Sequence, residues 1–300
     1  MRLSDAIDKL AIATRAEGRS PRTIQAYREK LGHLVRALGD PLIEAVTVDD
    51  LRRFLAGQRD KGLSEFTIKS RVRAIKRLWN FAEAEGIITE NPARRIQTPA
   101  PKRETPKGIE WGDFVALLKT TEAGDVLDLR DRAIILFLAD TGCRVGGLCG
   151  LELDALDLER RRALVTEKRG KPRFVFFQES TARALATWLQ VRPGDRGPGV
   201  WVSFKGGCQR LTPSGVYNML VARGEQAGCK GPVNPHAFRH AFARAYLTRG
   251  GDLGTLSNIL GHSSVAVTVE YYAVFNVDEL QRQHARYSPI AGLEVGRNDN

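Results

Sequence analysis

The sequence predicts a mainly α-helical protein of two domains, with a small β-hairpin in the second domain. Three observations lead to this fold class. Apolar residues recur at three- and four-residue steps through most of the 300-residue chain, as on one face of a helix. Three prolines within residues 96–108 interrupt that periodicity and predict an extended segment. Residues 161–177 alternate with a period of two, which is typical of paired strands.

These observations divide the chain into an N-terminal helical domain over residues 1–98, a Pro-rich linker over 99–108, and an α+β domain over 109–300. Apolar residues make up 42%, enough for a packed core in each domain. The sequence has no apolar run of about 18 residues, which excludes a membrane span, and its start lacks the apolar region of a secretory signal. We therefore expect a cytoplasmic protein that uses no membrane. The four cysteines form no CxxC pair, which argues against a zinc site or a disulfide framework.

Helix starts in the first domain are marked by capping residues. Ser20 precedes Pro21, a pairing that favours a helix N-terminus, and Thr47 and Ser64 are candidate caps of two further helices. Further helices are expected at the N-terminus and near Pro92. The apolar stripes that follow the three caps are Ile24, Tyr27, Leu31, Leu34, Val35 and Leu38; Leu51, Phe54 and Leu55; and Ile68, Val72, Ile75 and Trp79.

In the second domain, residues 109–150 predict two helices, the second of them buried. Two strands, 162–167 and 173–177, flank a basic turn at 168–171 and form the hairpin. The rest of the domain is predicted to be helical, at residues 180–191, 213–227, 235–249, 252–260 and 265–273.

Charge indicates a polyanionic partner. The chain has 46 Lys and Arg against 35 Asp and Glu, a net charge of +11, of which residues 1–98 hold +6. On the helix after Ser64, a row of cations lies beside the apolar stripe, which would suit phosphates or a groove; the row is Lys69, Arg73, Lys76 and Arg77. The alternative is a merely solvated basic face. Most aromatic side chains of this helix are expected on its core side, which does not favour base stacking.

Four clusters in the second domain could carry chemistry. They are Arg144 after a buried helix, the hairpin tip with Lys168 and Lys171, the His236-x-x-Arg239 pair at a helix start, and Gly261-His262 followed by Tyr271-Tyr272. Each cluster alone is weak, because arginines at helix ends are commonly ion-pair partners and paired tyrosines are commonly core residues. Their combination and order are far more specific.

That order, behind a basic helical domain and a Pro-rich linker, resembles the tyrosine recombinase (phage integrase) family. Residues 234–247 and 260–272 look closest to its Xer-like and simple integrase branch. The resemblance implies an N-terminal SAM-like core-binding domain, a C-terminal catalytic domain, and the catalytic set Arg144, Lys168, His236, Arg239, His262 and Tyr271. Lys171 remains an alternative for the lysine, since the hairpin register is open. Tyr272 remains an alternative for the nucleophile, although Tyr271 has the family's nine-residue spacing from His262.

The resemblance also implies a reaction. A site-specific DNA recombinase cleaves and rejoins strands through a 3′-phosphotyrosyl intermediate and a Holliday junction. Two arginines stabilise the charged transition state, so we expect no metal, no ATP and no other cofactor. The expected partner is double-stranded DNA with an inverted-repeat recombination site, on which the protein would assemble as a homotetramer. A monomer is compatible with the resemblance for the free protein. When bound to DNA the protein would be associated with the nucleoid.

One position departs from the family pattern. Three residues after Arg144, where the family commonly has an acidic residue, this chain has Gly147. Glu152 and Asp154 are candidate substitutes, and the change raises doubt about efficiency. Two other functions are alternatives, and Gly147 favours only the second of them. A type IB topoisomerase would relax supercoiled DNA that lacks a recognition site, and a DNA-binding regulator without catalysis would form no covalent complex with nicked DNA.

Overall fold

The structure, a computed structural model, forms two compact units, Met1–Arg103 and Glu104–Asn300. It describes residues 1–101, 107–166, 172–194, 197–204, 209–261 and 264–272, together with 281, 284–286 and 288; for residues 267 and 270–272 it describes the backbone only. No helix in these ranges is long and apolar enough to cross a membrane. The helical periodicity of the chain and its period-two segment account for the elements of the two units.

Four helices make up most of the N-terminal unit, and the three predicted caps begin three of them. Ser20 and Ser64 accept hydrogen bonds from the backbone N–H groups of Thr23 and Thr67, while Thr47 forms a reciprocal capping box with Asp50. The helices are α1 (Leu3–Ala16), α2 (Pro21–Leu38), α3 (Val48–Asp60) and α4 (Glu65–Ala84), with 3₁₀ turns at Ile43–Ala45 and Pro92–Arg95.

The predicted apolar stripes form the core of this unit. Leu31, Leu51 and Trp79 have no exposed surface, and α4 packs against α1, α2 and α3. Burying each such side chain stabilises the fold by about 1.5–3 kcal/mol. Phe66 of α4 differs from the expectation for its aromatic residues, because it is 51% exposed.

The C-terminal unit combines eight helices with a three-stranded sheet among its described residues. The helices are α5 (Trp111–Lys119), α6 (Val126–Thr141), α7 (Val145–Cys149), α8 (Glu179–Val191), α9 (Pro213–Gln226), α10 (Pro235–Thr248), α11 (Leu253–Leu260) and α12 (Val265–Tyr272). The strands are β1 (Leu156–Asp157), β2 (Arg162–Thr166) and β3 (Pro172–Phe176), all antiparallel in the order β1-β2-β3. The mainly α fold with a small sheet is confirmed.

Helix α6 is central to this unit. It packs against α8, α10 and β3, and its Phe137 is fully buried against Phe177 and Trp201. The sheet alternates as predicted, with Ala163, Val165 and Val175 buried on its inner face. A smaller apolar cluster joins α10 to α11 through Ala243, Leu247, Leu256 and Leu260.

Two elements escaped the sequence pattern. Helix α7 spans five residues, two of them glycines, and glycine lowers helix propensity by about 1 kcal/mol each, so its sequence carries no helical signal. Strand β1 has two residues, too few to show any alternation. Both elements depend on tertiary contacts: α7 packs against α9 and β2, and β1 pairs with β2.

Candidate active site

Helix α10 carries two of the predicted site residues on one face. Asn234 begins the helix, and its Oδ1 accepts hydrogen bonds from the backbone N–H groups of His236 and Ala237, each at 3.0 Å. Pro235 occupies the first helical position, where its missing N–H costs nothing. His236 and Arg239 then lie three residues apart, so both side chains project from the same side of α10.

Arg239 is buried and held by main-chain oxygens. It is 4% exposed, and its guanidinium donates to the carbonyl of Gly142 at 2.8 Å and to that of Leu260 at 2.7 Å. Both acceptors are at helix ends: Gly142 follows α6, and Leu260 is the last residue of α11. Since helix C-termini carry partial negative charge, they compensate a buried cation.

Arg144 reaches the same helix end from another part of the chain. It lies just after α6 and is the N-cap of α7, and its Nη1 lies 3.4 Å from the Leu260 carbonyl and 3.5 Å from that of Gly261. The carbonyl of Leu260 therefore accepts from both predicted arginines. The structure brings these two guanidiniums together although they come from different helices.

Gly142 makes this arrangement possible. It ends α6 in the left-handed conformation, with φ +56°. A Cβ atom here would lie 2.6 Å from the ring of Phe242 and 3.2 Å from Leu260. The close approach of α10 and α11 to the end of α6 thus requires glycine.

His236 lies beside both arginines. Partial burial, and then the guanidiniums of Arg239 and Arg144, lower its pKa. Part of its surface nevertheless faces solvent, so the ring lies at the rim of the site. A neutral imidazole next to two fixed cations can accept a proton at neutral pH.

The other predicted catalytic residues are described in part or not at all. Tyr271 lies in α12, which packs against α10 and α11, but its side chain, like that of Tyr272, is outside the description. Lys168, Lys171 and His262 lie outside the described residues. Gly147 is buried in α7, and of its two candidate substitutes Glu152 pairs with Arg210 at 2.6 Å while Asp154 is exposed. No group of three potential metal ligands meets in the described ranges.

Sequence reasoning missed one arginine at this helix end. Arg173 of β3 donates through Nη1 to the carbonyl of Ile259, in the last turn of α11. Its only sequence signal is its position on the inner face of a strand, in step with buried Val175.

The predicted cationic row in the N-terminal unit lies on α4, with varied surroundings. Arg73 is exposed, Lys69 and Lys76 are partly buried, and Arg77 is paired with Glu17 of α1. Helix α4 carries a further cation, Arg71, which is outside the predicted row. Arg71 faces α2 across a shallow cleft, and its Nη1 is buried with no hydrogen-bond acceptor among the described residues.

The cleft beside Arg71 is lined from α2 by Lys30, His33 and the carboxylate of Glu29, and from α4 by the exposed ring of Phe66. Burial, and then the positive charges of Arg71 and Arg36, lower the pKa of His33. Arg71 and Lys30 outnumber the single carboxylate of Glu29, so the cleft carries a net positive charge on the surface of this unit.

Comparison with known proteins identifies the family. The profile described as "Phage integrase family" matches residues 110–277, more than half of the chain, and that of "Phage integrase, N-terminal SAM-like domain" matches residues 12–86. The chain belongs to the phage integrase family of tyrosine recombinases. It is a tyrosine-type site-specific recombinase, an enzyme that breaks and rejoins DNA strands.

Individual relatives agree with this. The chain is 32% identical to "Tyrosine recombinase XerC" of Alcanivorax borkumensis, over 84% of this chain and 83% of the relative. It is 32% identical to "Tyrosine recombinase XerD" of Mycobacterium leprae, over 90% of this chain and 92% of the relative. Its fold is similar to that of a lambda integrase tetramer bound to a Holliday junction, with a TM-score of 0.71 and 19% identity over 88% and 78% of the two chains. The predicted Xer-like resemblance is confirmed.

Proposed function

We propose that this recombinase cleaves DNA with Tyr271 as nucleophile and with Arg144, Lys168, His236, Arg239 and His262 around the scissile phosphate. The observation that supports this best is the shared acceptor of Arg144 and Arg239. Two guanidiniums fixed at one point can bind the non-bridging oxygens of a phosphate with paired hydrogen bonds, and they remain charged at any working pH.

The proposed step transfers the phosphoryl group without net energy input. The Tyr271 phenol oxygen attacks phosphorus, its proton passes to His236, and the bond from phosphorus to the 5′-oxygen breaks. Lys168 donates a proton to that oxygen, which leaves as a 5′-hydroxyl, and His262 donates a hydrogen bond to the phosphate. The 3′-phosphotyrosyl bond keeps the phosphodiester energy, so the 5′-hydroxyl of a partner strand can reverse the step without ATP. The arginines supply the positive charge that a metal ion supplies in other phosphoryl transferases.

We also propose the partners and the domain roles. Residues 1–98 would form a DNA-binding domain, 99–108 a linker and 109–300 the catalytic domain. The substrate would be double-stranded DNA with inverted repeats, bound by a homotetramer, as the lambda integrase relative is bound to a Holliday junction. The enzyme would then act in the cytoplasm, at the nucleoid.

The basic side of α4 would contact the DNA backbone through Lys69, Arg73, Lys76 and Arg77. The adjacent cleft supports this placement, because a phosphate there would give the buried Nη1 of Arg71 an acceptor. Arg77 would contribute least, since Glu17 already neutralises part of its charge.

The experiment that tests the nucleophile uses a DNA substrate nicked close to the cleavage point, which traps the covalent complex. We expect Tyr271→Phe to form no covalent complex and to bind DNA as the wild type does, since only the attacking oxygen is removed. Tyr272→Phe is the matched control and should form the complex normally. A covalent adduct in Tyr271→Phe, or its loss only in Tyr272→Phe, would overturn the assignment.

A further inference from the structure

The end of α11 is held by more than the two predicted arginines. Three consecutive carbonyls, those of Ile259, Leu260 and Gly261, accept hydrogen bonds from arginine side chains. Arg173 donates to the first, Arg144 and Arg239 share the second, and Arg144 is also within 3.5 Å of the third. The three arginines come from β3, the start of α7 and α10.

Arg173 is built into this turn by packing as well as by hydrogen bonding. Gly261 ends α11 in the left-handed conformation, with φ +64°. A Cβ atom there would lie 2.7 Å from Nε and 2.8 Å from Cδ of Arg173. The arginine side chain therefore lies directly against the glycine backbone, in space that any other residue at position 261 would occupy.

The surroundings explain why an arginine is stable at this point. Arg173 pairs with Val165 in the sheet and shares the inner face of β3 with buried Val175. A cation on an inner face is costly unless it is hydrogen bonded, and the C-terminus of a helix offers both acceptors and partial negative charge. Arg162 of β2, in contrast, lies on the outer face of the sheet, with its guanidinium 5.0 Å from the centre of the Phe174 ring.

We propose that Arg173 is a positioning residue for the recombination reaction: by holding the last turn of α11, it fixes the carbonyls that orient Arg144 and Arg239. This inference rests on the proposed function, in which those two arginines neutralise the scissile phosphate. Without Arg173 the Leu260 carbonyl would move relative to both guanidiniums. The paired contacts to the phosphate would then lose their alignment, although both cations would still be present.

The test compares two substrates in one preparation. One carries an ordinary phosphodiester at the cleavage point, and the other carries a methylphosphonate, in which a methyl group replaces one non-bridging oxygen. The methylphosphonate is neutral, so its cleavage depends less on alignment of the arginines. The ratio of the two cleavage rates does not depend on how much of the protein is folded, which removes a general loss of stability from the comparison.

We expect Arg173→Ala to slow cleavage of the phosphodiester by roughly 10- to 100-fold, the cost of a small misalignment in an active site. Its cleavage of the methylphosphonate should fall much less, so that the ratio shifts toward the neutral substrate by about tenfold. Arg162→Ala is the matched control, a change on the adjacent strand that leaves α11 untouched, and it should keep the wild-type ratio. An unchanged ratio in Arg173→Ala, whatever its absolute rate, would overturn the inference.

Arg239→Ala separates this inference from the proposed function. If Arg239→Ala shifts the ratio and Arg173→Ala does not, Arg173 has no positioning role and the proposed function stands. If Arg239→Ala fails to shift the ratio, the role proposed for the arginine pair is wrong, and the inference about Arg173 is rejected with it.

Discussion

The two cationic sites of this protein hold their charges in different ways. At the end of α11, guanidiniums are held by main-chain carbonyls, and Arg239 is 4% exposed. On α4, Arg73 is exposed and Arg77 meets the carboxylate of Glu17. Fixed cations stabilise a transition state because no reorganisation is needed during the reaction, whereas exposed cations bind phosphates by releasing counterions. The difference separates groups suited to chemistry from groups suited to binding.

An Arg→Lys substitution in each of the two sites should give the largest difference in cleavage rate. Arg239→Lys keeps the charge but loses the paired hydrogen-bonding geometry, so we expect cleavage to slow by at least about 10²–10³-fold. Arg73→Lys should leave cleavage within about threefold of wild type, because an exposed cation needs no fixed geometry. Covalent-complex formation at saturating DNA measures both. Equal losses in the two variants would remove the distinction between the sites.

Glycine substitutions test how tightly each unit is packed around its helix ends. Gly142→Ala should destabilise the protein by roughly 2–4 kcal/mol, from the left-handed backbone and from contact with Phe242. Gly39→Ala, at the end of α2 with φ +74° and open space around it, should cost only about 1–2 kcal/mol. Urea unfolding followed by circular dichroism measures both changes. A smaller loss for Gly142→Ala than for Gly39→Ala would contradict the close packing of α6, α10 and α11.

Salt dependence should identify the binding site. Arg73→Gln removes one exposed phosphate contact, so the slope of log K against log salt should fall by about 0.9. Cleavage at saturating DNA should stay unchanged. Arg52→Gln, on α3, offers a control whose charge is already paired with Asp49, and its slope should match the wild type. Fluorescence anisotropy at several salt concentrations provides the slopes, and an unaltered slope in Arg73→Gln would place the DNA elsewhere.

Histidine protonation should have opposite effects in the two sites. Burial and nearby arginines lower the pKa of both His236 and His33. His236 should therefore stay neutral to below its ordinary value of about 6.5, and cleavage should be lost only below that pH, as its proton-accepting form disappears. Protonation of His33 adds a cation beside Arg71, so DNA binding should tighten as the pH falls through the same range.

Ring resonances in an NMR titration measure both pKa values, with His236→Gln and His33→Gln for assignment among the five histidines. A value above 6.5 for His236 would contradict its partial burial beside the two arginines. Weaker DNA binding by the protonated protein would reject the cleft as a phosphate site.

Local patterns in the sequence were sufficient to predict most elements. Ser20, Thr47 and Ser64 begin helices because side-chain capping depends on neighbours three residues away. His236 and Arg239 share a face because a helix turns every 3.6 residues. The choices between Lys168 and Lys171, and between Tyr271 and Tyr272, remain predictions, since those side chains lie outside the description.

What the sequence by itself determined is the order of the motifs, their elements and the excess of positive charge, since each depends on composition or on short-range periodicity. Only the tertiary structure decided that Arg144 and Arg239 share the Leu260 carbonyl, that Arg173 joins them, and that Glu17 pairs with Arg77. These contacts connect residues far apart in the chain, and their geometry follows from how whole helices and strands pack.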